Sequence, residues 1–175
     1  MPAELSTERL HLRLRDGRDA EWSLALIAED PKQQAPSLAE ERDRLDAQRR
    51  AAGEAGFGVY TVELADSGEA IGYCGLVTGR TSPAQPELAY ELLRRHVGNG
   101  YATEAAAAVA DAAFEAGFPV LWAIVERWNA PSFGILEKLG FTASRVSFDG
   151  GRGEGGTVLV WLYRKAPRGR HRARG

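Results

Sequence analysis

Leu10, Leu12 and Leu14 alternate with His11, Arg13 and Arg15, the two-residue period of a strand with one buried face. After a turn at Asp16-Gly17, the spacing of Trp22, Leu24, Ala25 and Ile27 predicts a helix over 19–28. A second, highly charged helix is expected over 38–52, opened by Ser37 as N-cap and followed by Gly53. Strands over 57–64 and 70–76 flank Asp66-Ser67-Gly68, a hairpin signal, and a further strand follows over 86–93. The alanine-rich stretch 101–116 reads as a helix on which Glu104, Asp111 and Glu115 share a face, with Ala102, Val109, Ala113 and Phe114 turned elsewhere. The continuous apolar run 120–125 has the character of a buried parallel strand, so strand, helix and strand form a right-handed crossover. A helix over 131–139 ends at Gly140, and last strands over 141–148 and 157–163 enclose a glycine-rich loop at 149–156, read as a mobile hairpin loop. The pattern is α+β: a mixed, mostly antiparallel sheet of about seven strands with about four helices.

A chain of 175 residues, 44% hydrophobic and 26% charged, fits one domain, expected over 1–165. No segment reaches the roughly 20 apolar residues of a membrane span. The start of the chain has neither the basic nor the apolar part of a secretory signal, and the single cysteine, Cys74, has no internal partner, so a cytoplasmic location is expected. The net charge of −2 conceals an asymmetry. Arg164 to Gly175 holds six Lys or Arg and no acid, which leaves 16 basic against 24 acidic residues before it. An acidic body argues against a nucleic-acid-binding core, and the Arg/Gly/Pro tail over 166–175 is expected to be disordered. His11 and His96 have no partner at ligand spacing, so no metal site is expected, and no Gly-x-Ser-x-Gly nucleophile motif occurs.

The informative stretch runs from Leu92 to Glu104, out of a strand, through Gly98 and Gly100, and into a helix. Amides at a helix start lack internal partners and carry the positive end of the dipole, so this arrangement predicts a diphosphate site. A dinucleotide fold competes, because Glu126 follows the next strand at about the distance of a ribose-binding acid. Its fingerprint fails at the third glycine position, which is Thr103, and the preceding segments read as an antiparallel meander.

Together these segments resemble the GNAT superfamily of N-acetyltransferases, in particular the branch that includes ribosomal-protein N-terminal acetyltransferases. The resemblance is carried by Thr7-Glu8-Arg9-Leu10-His11-Leu12-Arg13, by Glu87-Leu88-Ala89-Tyr90, and by Gly98-Asn99-Gly100-Tyr101-Ala102-Thr103-Glu104-Ala105. Asn129-Ala130-Pro131-Ser132 and Leu136-Glu137-Lys138-Leu139-Gly140-Phe141 complete it. It implies acetyl-coenzyme A as co-substrate, an amine acceptor (a peptide amino terminus or a small molecule) and a homodimer. The coenzyme-binding set it implies is Leu92, Leu93, Val97, Gly98, Asn99, Gly100, Tyr101, Ala102, Thr103, Asn129, Ser132 and Lys138. One departure stands out: Val97 occupies the position where the family usually has Gln or Arg. Arg95 fits that pattern only in a shifted register. The departure leaves open a binding module of the same fold without turnover.

The resemblance also implies direct attack of the amine on the thioester. Cys74, among Ile71, Tyr73 and Leu76, is accordingly read as a core residue. A primary amine has a pKa of roughly 10, so its proton must be accepted. Glu87, Ala89 and Glu91 share one strand face, and the resemblance, in which Glu87 matches the branch's recurring glutamate, implies Glu87 as the first candidate base and Glu91 as the second, against a purely solvated role for both. Ser132 matches the family position near the coenzyme sulfur, while Asn129 either holds the pantetheine or caps its helix. Tyr90 and Tyr101 are backup acids, Lys138 meets a coenzyme phosphate or only the helix dipole, and Trp22, Trp122 and Trp128 are either acceptor wall or core.

Overall fold

The computed structural model describes residues 1–150 and 157–167, without the side chains of 145–150 and 157–161. Strands β1 (Glu4–Ser6), β2 (Leu10–Leu14), β3 (Val59–Leu64), β4 (Ala70–Ser82), β5 (Gln85–Leu92), β6 (Val120–Glu126), β7 (Thr142–Gly150) and β8 (Thr157–Lys165) form one sheet in the order β1-β2-β3-β4-β5-β6-β8-β7. Every neighbouring pair is antiparallel except β5 and β6. The helices are α1 (Ala20–Ile27), α2 (Leu38–Ala55), α3 (Tyr101–Glu115) and α4 (Ala130–Lys138), with short 3-10 turns at Gly17–Asp19 and Arg94–His96. A single parallel pair inside a meander is not a doubly wound sheet, which removes the dinucleotide fold.

The strand alternation sorts the sheet into two faces. Leu10, Leu12, Tyr60, Val62, Cys74, Leu76, Leu88, Leu92, Leu121, Ala123 and Val125 meet Ala105, Ala106, Val109, Ala110 and Ala113 of α3 in the main core. Alanines at these five positions let the helix lie close on the pleat. The opposite face carries a cross-strand row, Arg13, Thr61, Tyr73 and Glu91, in register from β2 to β5. Beside that face, Ser23 of α1 donates to the fully buried Glu41 of α2, which also holds Arg44.

Two segments run longer than their sequence patterns predict. Helix α2 continues through Gly53 and stops at Gly56, whose φ of +75° supplies the left-handed cap. Gly53 faces open space, so the helix merely tolerates it at a cost of about 1 kcal/mol relative to alanine. Strand β7 reaches Gly150, paired with Thr157, so the glycine-rich loop begins later than residue 149. The remainder of that loop, 151–156, and most of the basic tail, 168–175, lie outside the described residues.

Asp19 is the polar anchor where β2 meets α1. Its carboxylate, 1% exposed, accepts from Arg13 Nη1 and Nη2 at 2.9 and 2.7 Å, from Trp22 Nε1 at 2.8 Å and from the Asp16 N–H at 3.0 Å. Burial pushes its carboxyl up, but the bonds from Arg13 and Trp22 outweigh it and hold the group below the ordinary range. Asp19→Ala would leave the Arg13 guanidinium with Glu63 as its partner and strand the Trp22 and Asp16 N–H groups. A urea denaturation series should therefore show a loss of about 2–3 kcal/mol, and a loss below about 1 kcal/mol would contradict this account.

Candidate active site

β5 and β6 are registered at one position, Glu87 opposite Trp122, and separate toward their carboxyl ends. The separation opens a slot of about 240 Å³ lined by Glu87–Tyr90, Ala123–Glu126, Tyr73, Asn129, Ser132 and Leu136. Leu88, Tyr90, Ala123 and Leu136 belong to the face covered by α3 and α4, whereas Tyr73, Glu87 and Ile124 belong to the other. The slot therefore passes through the sheet. Its volume suits a thioester with a few methylenes but not a nucleotide, which must lie outside.

The side chains around the slot have distinct properties. Glu87 is half-buried, and desolvation raises its carboxyl, opposed by the Arg80 N–H and the Arg80 charge. Tyr90 Oη donates to the Ser132 carbonyl at 3.4 Å, and burial pushes its phenol up to about 12. Asn129 Oδ1 accepts the Ser132 N–H at 3.3 Å, with Pro131 in the first helical turn. Asn129 thus caps α4 and lines the slot at once. Cys74 is fully buried and its thiol is pushed well above its usual range by burial, so it is no nucleophile.

The phosphate loop leads from the carboxyl end of β5 into α3. Gly98 and Gly100 have φ of +90° and +82°, values that glycine adopts without strain. Glu104 makes the first bond of α3, to the Gly100 carbonyl at 3.1 Å, so the N–H groups of Tyr101, Ala102 and Thr103 precede the helical ladder. Gly100 is the N-cap and provides no side-chain acceptor for them. Those three amides and the helix dipole suit a diphosphate. Val97, 59% exposed, adds only an apolar side chain. Arg95 is directed to Glu69 at 2.8 Å, which His96 also approaches at 3.2 Å, so the shifted register has its arginine already paired. At the other end of the loop, both Glu29 oxygens accept the Arg94 N–H.

Glu87, Asn129, Ser132 and Tyr90 therefore meet at one slot, with the helix start of Tyr101–Thr103 beyond β5. Other expected residues stand apart. Glu91 is exposed outside the slot and accepts from Tyr73 Oη at 3.3 Å. Leu92 and Leu93 bury their side chains and can offer the coenzyme only main chain. Lys138 lies in the last turn of α4, at the far end from Asn129. Trp22 donates to Asp19, Trp128 is 74% exposed beside Asn129, and Trp122 stands next to Glu87 with its ring 5.5 Å from that of Tyr163. Tyr73 lines the slot without having been singled out as chemistry by sequence, and Glu126, which sequence brought forward only as a ribose-binding acid, lines it too. Only the β4–β5 register could have revealed Tyr73. Among the described residues, no three His, Cys, Asp or Glu are grouped to hold a metal ion, and no helix is long and apolar enough to cross a membrane.

The family model described as "Acetyltransferase (GNAT) domain" matches residues 9–142. A Bacillus subtilis protein described as uncharacterized, YkkB, is 32% identical over 152 residues, which is 82% of this chain and 87% of that one. The crystal structure of an acetyltransferase from Agrobacterium tumefaciens is 27% identical with a TM-score of 0.71, covering 92% of this chain and 94% of that one. A Salmonella typhimurium protein, solved with its cofactor acetyl-CoA, has the same fold at 20% identity and a TM-score of 0.72, covering 92% and 96% of the two chains.

Proposed function

From the premise that this chain belongs to the GNAT acetyltransferase family, we propose that it transfers an acetyl group from acetyl-CoA directly to a primary amine. The observation that carries the reading is the slot through the sheet, with the free amides of α3 beyond β5 on one side and Glu87 on the other. The coenzyme lays its diphosphate on the N–H groups of Tyr101–Thr103 and passes its thioester into the slot between β5 and β6. The acceptor arrives over the Glu87 face, where Trp122 stands beside the carboxylate.

Glu87 takes the proton of the incoming ammonium, directly or through one water, and partial burial brings its basicity nearer to neutrality. The neutral nitrogen forms the C–N bond, the C–S bond breaks, and the departing thiolate, stabilised by hydrogen bonding at the α4 side of the slot, takes up the second proton that the nitrogen gives off as the amide forms. Ser132 provides a hydroxyl and Tyr90 a phenol there. With the one thiol buried at Cys74, no covalent acyl-enzyme is required.

Calorimetric titration with acetyl-CoA, with NADH as control, tests the coenzyme, and thiol release across peptide amino termini, polyamines and small amines tests transfer. Micromolar binding of acetyl-CoA alone, with amine-dependent thiol release, is the expected result. Binding without release for any amine would favour a non-catalytic acyl-CoA module, and preference for NADH would overturn the reading.

A further inference from the structure

The phosphate loop is shaped by a side chain from the opposite end of the sequence. Arg9, the last residue of the β1–β2 turn, donates through Nη1 to the Asn99 carbonyl at 3.1 Å. Its Nε and Nη2 both reach Glu104 Oε2, at 2.7 and 2.6 Å, and its guanidinium lies 4.8 Å from the Tyr101 ring centroid. The other Glu104 oxygen accepts the Thr7 hydroxyl and the Arg9 N–H. One guanidinium and one carboxylate thus hold Asn99, Tyr101 and the first turn of α3 to the β1–β2 turn.

Each bond has a consequence for an anion at the helix start. A carbonyl directed at a diphosphate repels it, and Arg9 draws the Asn99 carbonyl aside. Glu104 places a negative charge within the first turn. Burial pushes its carboxyl up, but the bonds from Thr7 and Arg9 prevail and hold it below the ordinary range, so it is ionised at neutral pH. Arg9 neutralises that charge where the diphosphate would meet it. Val97 has no polar group to do either task.

We propose that Arg9, fixed by Glu104, is the positioning residue of the diphosphate site, orienting the loop amides and cancelling the carboxylate beneath them. This rests on the acetyl-CoA reading above. The test compares the wild-type chain with Arg9→Ala and Arg9→Lys. Calorimetry gives the Kd for coenzyme A, and an NMR titration gives the affinity for S-acetylpantetheine, which has the thioester arm but no diphosphate.

Both variants should bind coenzyme A about 10- to 100-fold more weakly, because lysine keeps the charge but cannot span Glu104 and Asn99 with a fork. S-acetylpantetheine affinity should stay within about twofold. Unchanged coenzyme A affinity, or an equal fall for both ligands, would overturn the proposal; the second result would make Arg9 a general support of the fold. If Arg9→Ala does not fold, Arg9→Lys decides alone. A wild-type chain that binds neither ligand ends the acetyl-CoA reading itself, whereas wild-type binding with indifferent variants ends only the role of Arg9.

Discussion

Glu87→Gln should lower kcat/KM for amine acetylation by about 10²- to 10⁴-fold, the range for loss of a positioned general base. The coenzyme A Kd should stay within about threefold, since Glu87 lies on the sheet face opposite α3 and α4, the helices proposed to receive the coenzyme. The pH profile separates a base from a mere wall. Glu87 works only when ionised, and burial raises its carboxyl above the ordinary value. Wild-type kcat/KM should therefore climb as pH rises through that elevated pKa and then level off. With glutamine no such plateau forms, and the rate should keep rising toward the pKa of the amine, roughly 10. Initial-rate kinetics from about pH 4 to about pH 10 read both features. An unaltered rate with an unaltered profile would move the proton to Glu91 or to solvent.

Gly100→Val has a comparable effect on the other substrate. Gly100 sits at φ +82° as the N-cap of α3, where a β-branched residue costs about 1–3 kcal/mol in strain. A Cβ there would meet Arg9 Nη2 at 3.5 Å, an ordinary contact, so the cost lies in the backbone conformation. Relief of that strain requires the loop to move away from its diphosphate-accepting shape. Coenzyme A affinity should fall by about 10²-fold. Calorimetry on a variant with a normal far-ultraviolet circular dichroism spectrum measures this, and wild-type affinity would remove the phosphate site from α3.

The parts of this molecule that could be read from sequence are those in which one segment has its own period or its own turn chemistry. Leu10, Leu12 and Leu14, the apolar run at 120–125, and Gly98-Asn99-Gly100 before α3 are of this kind. Glu87, Asn129 and Ser132 came forward instead through the resemblance to the GNAT superfamily, and the slot gathers them together. What stayed hidden depends on pairing between distant segments. β1 is three residues long and exists because Glu4, Leu5 and Ser6 pair with β2, not because it has a periodicity of its own. Glu104 shares a helix face with Asp111 and Glu115 in the sequence, yet the partners of its carboxylate are 95 and 97 residues away. Glu91 shares the strand face of Glu87 but lies outside the slot, because alternation gives the face and only the point of separation between β5 and β6 gives the depth.

That point of separation also governs how the sheet can move. Two panels, β1–β5 and β6–β8–β7, are joined in the backbone ladder only at Glu87 and Trp122. Widening the gap beyond this joint breaks no strand pairing, because none spans it. A bulky thioester can thus be admitted by elastic flexing against side-chain contacts, the Tyr90 Oη bond to the Ser132 carbonyl among them, and the panels can close again without any ladder bond having to be remade.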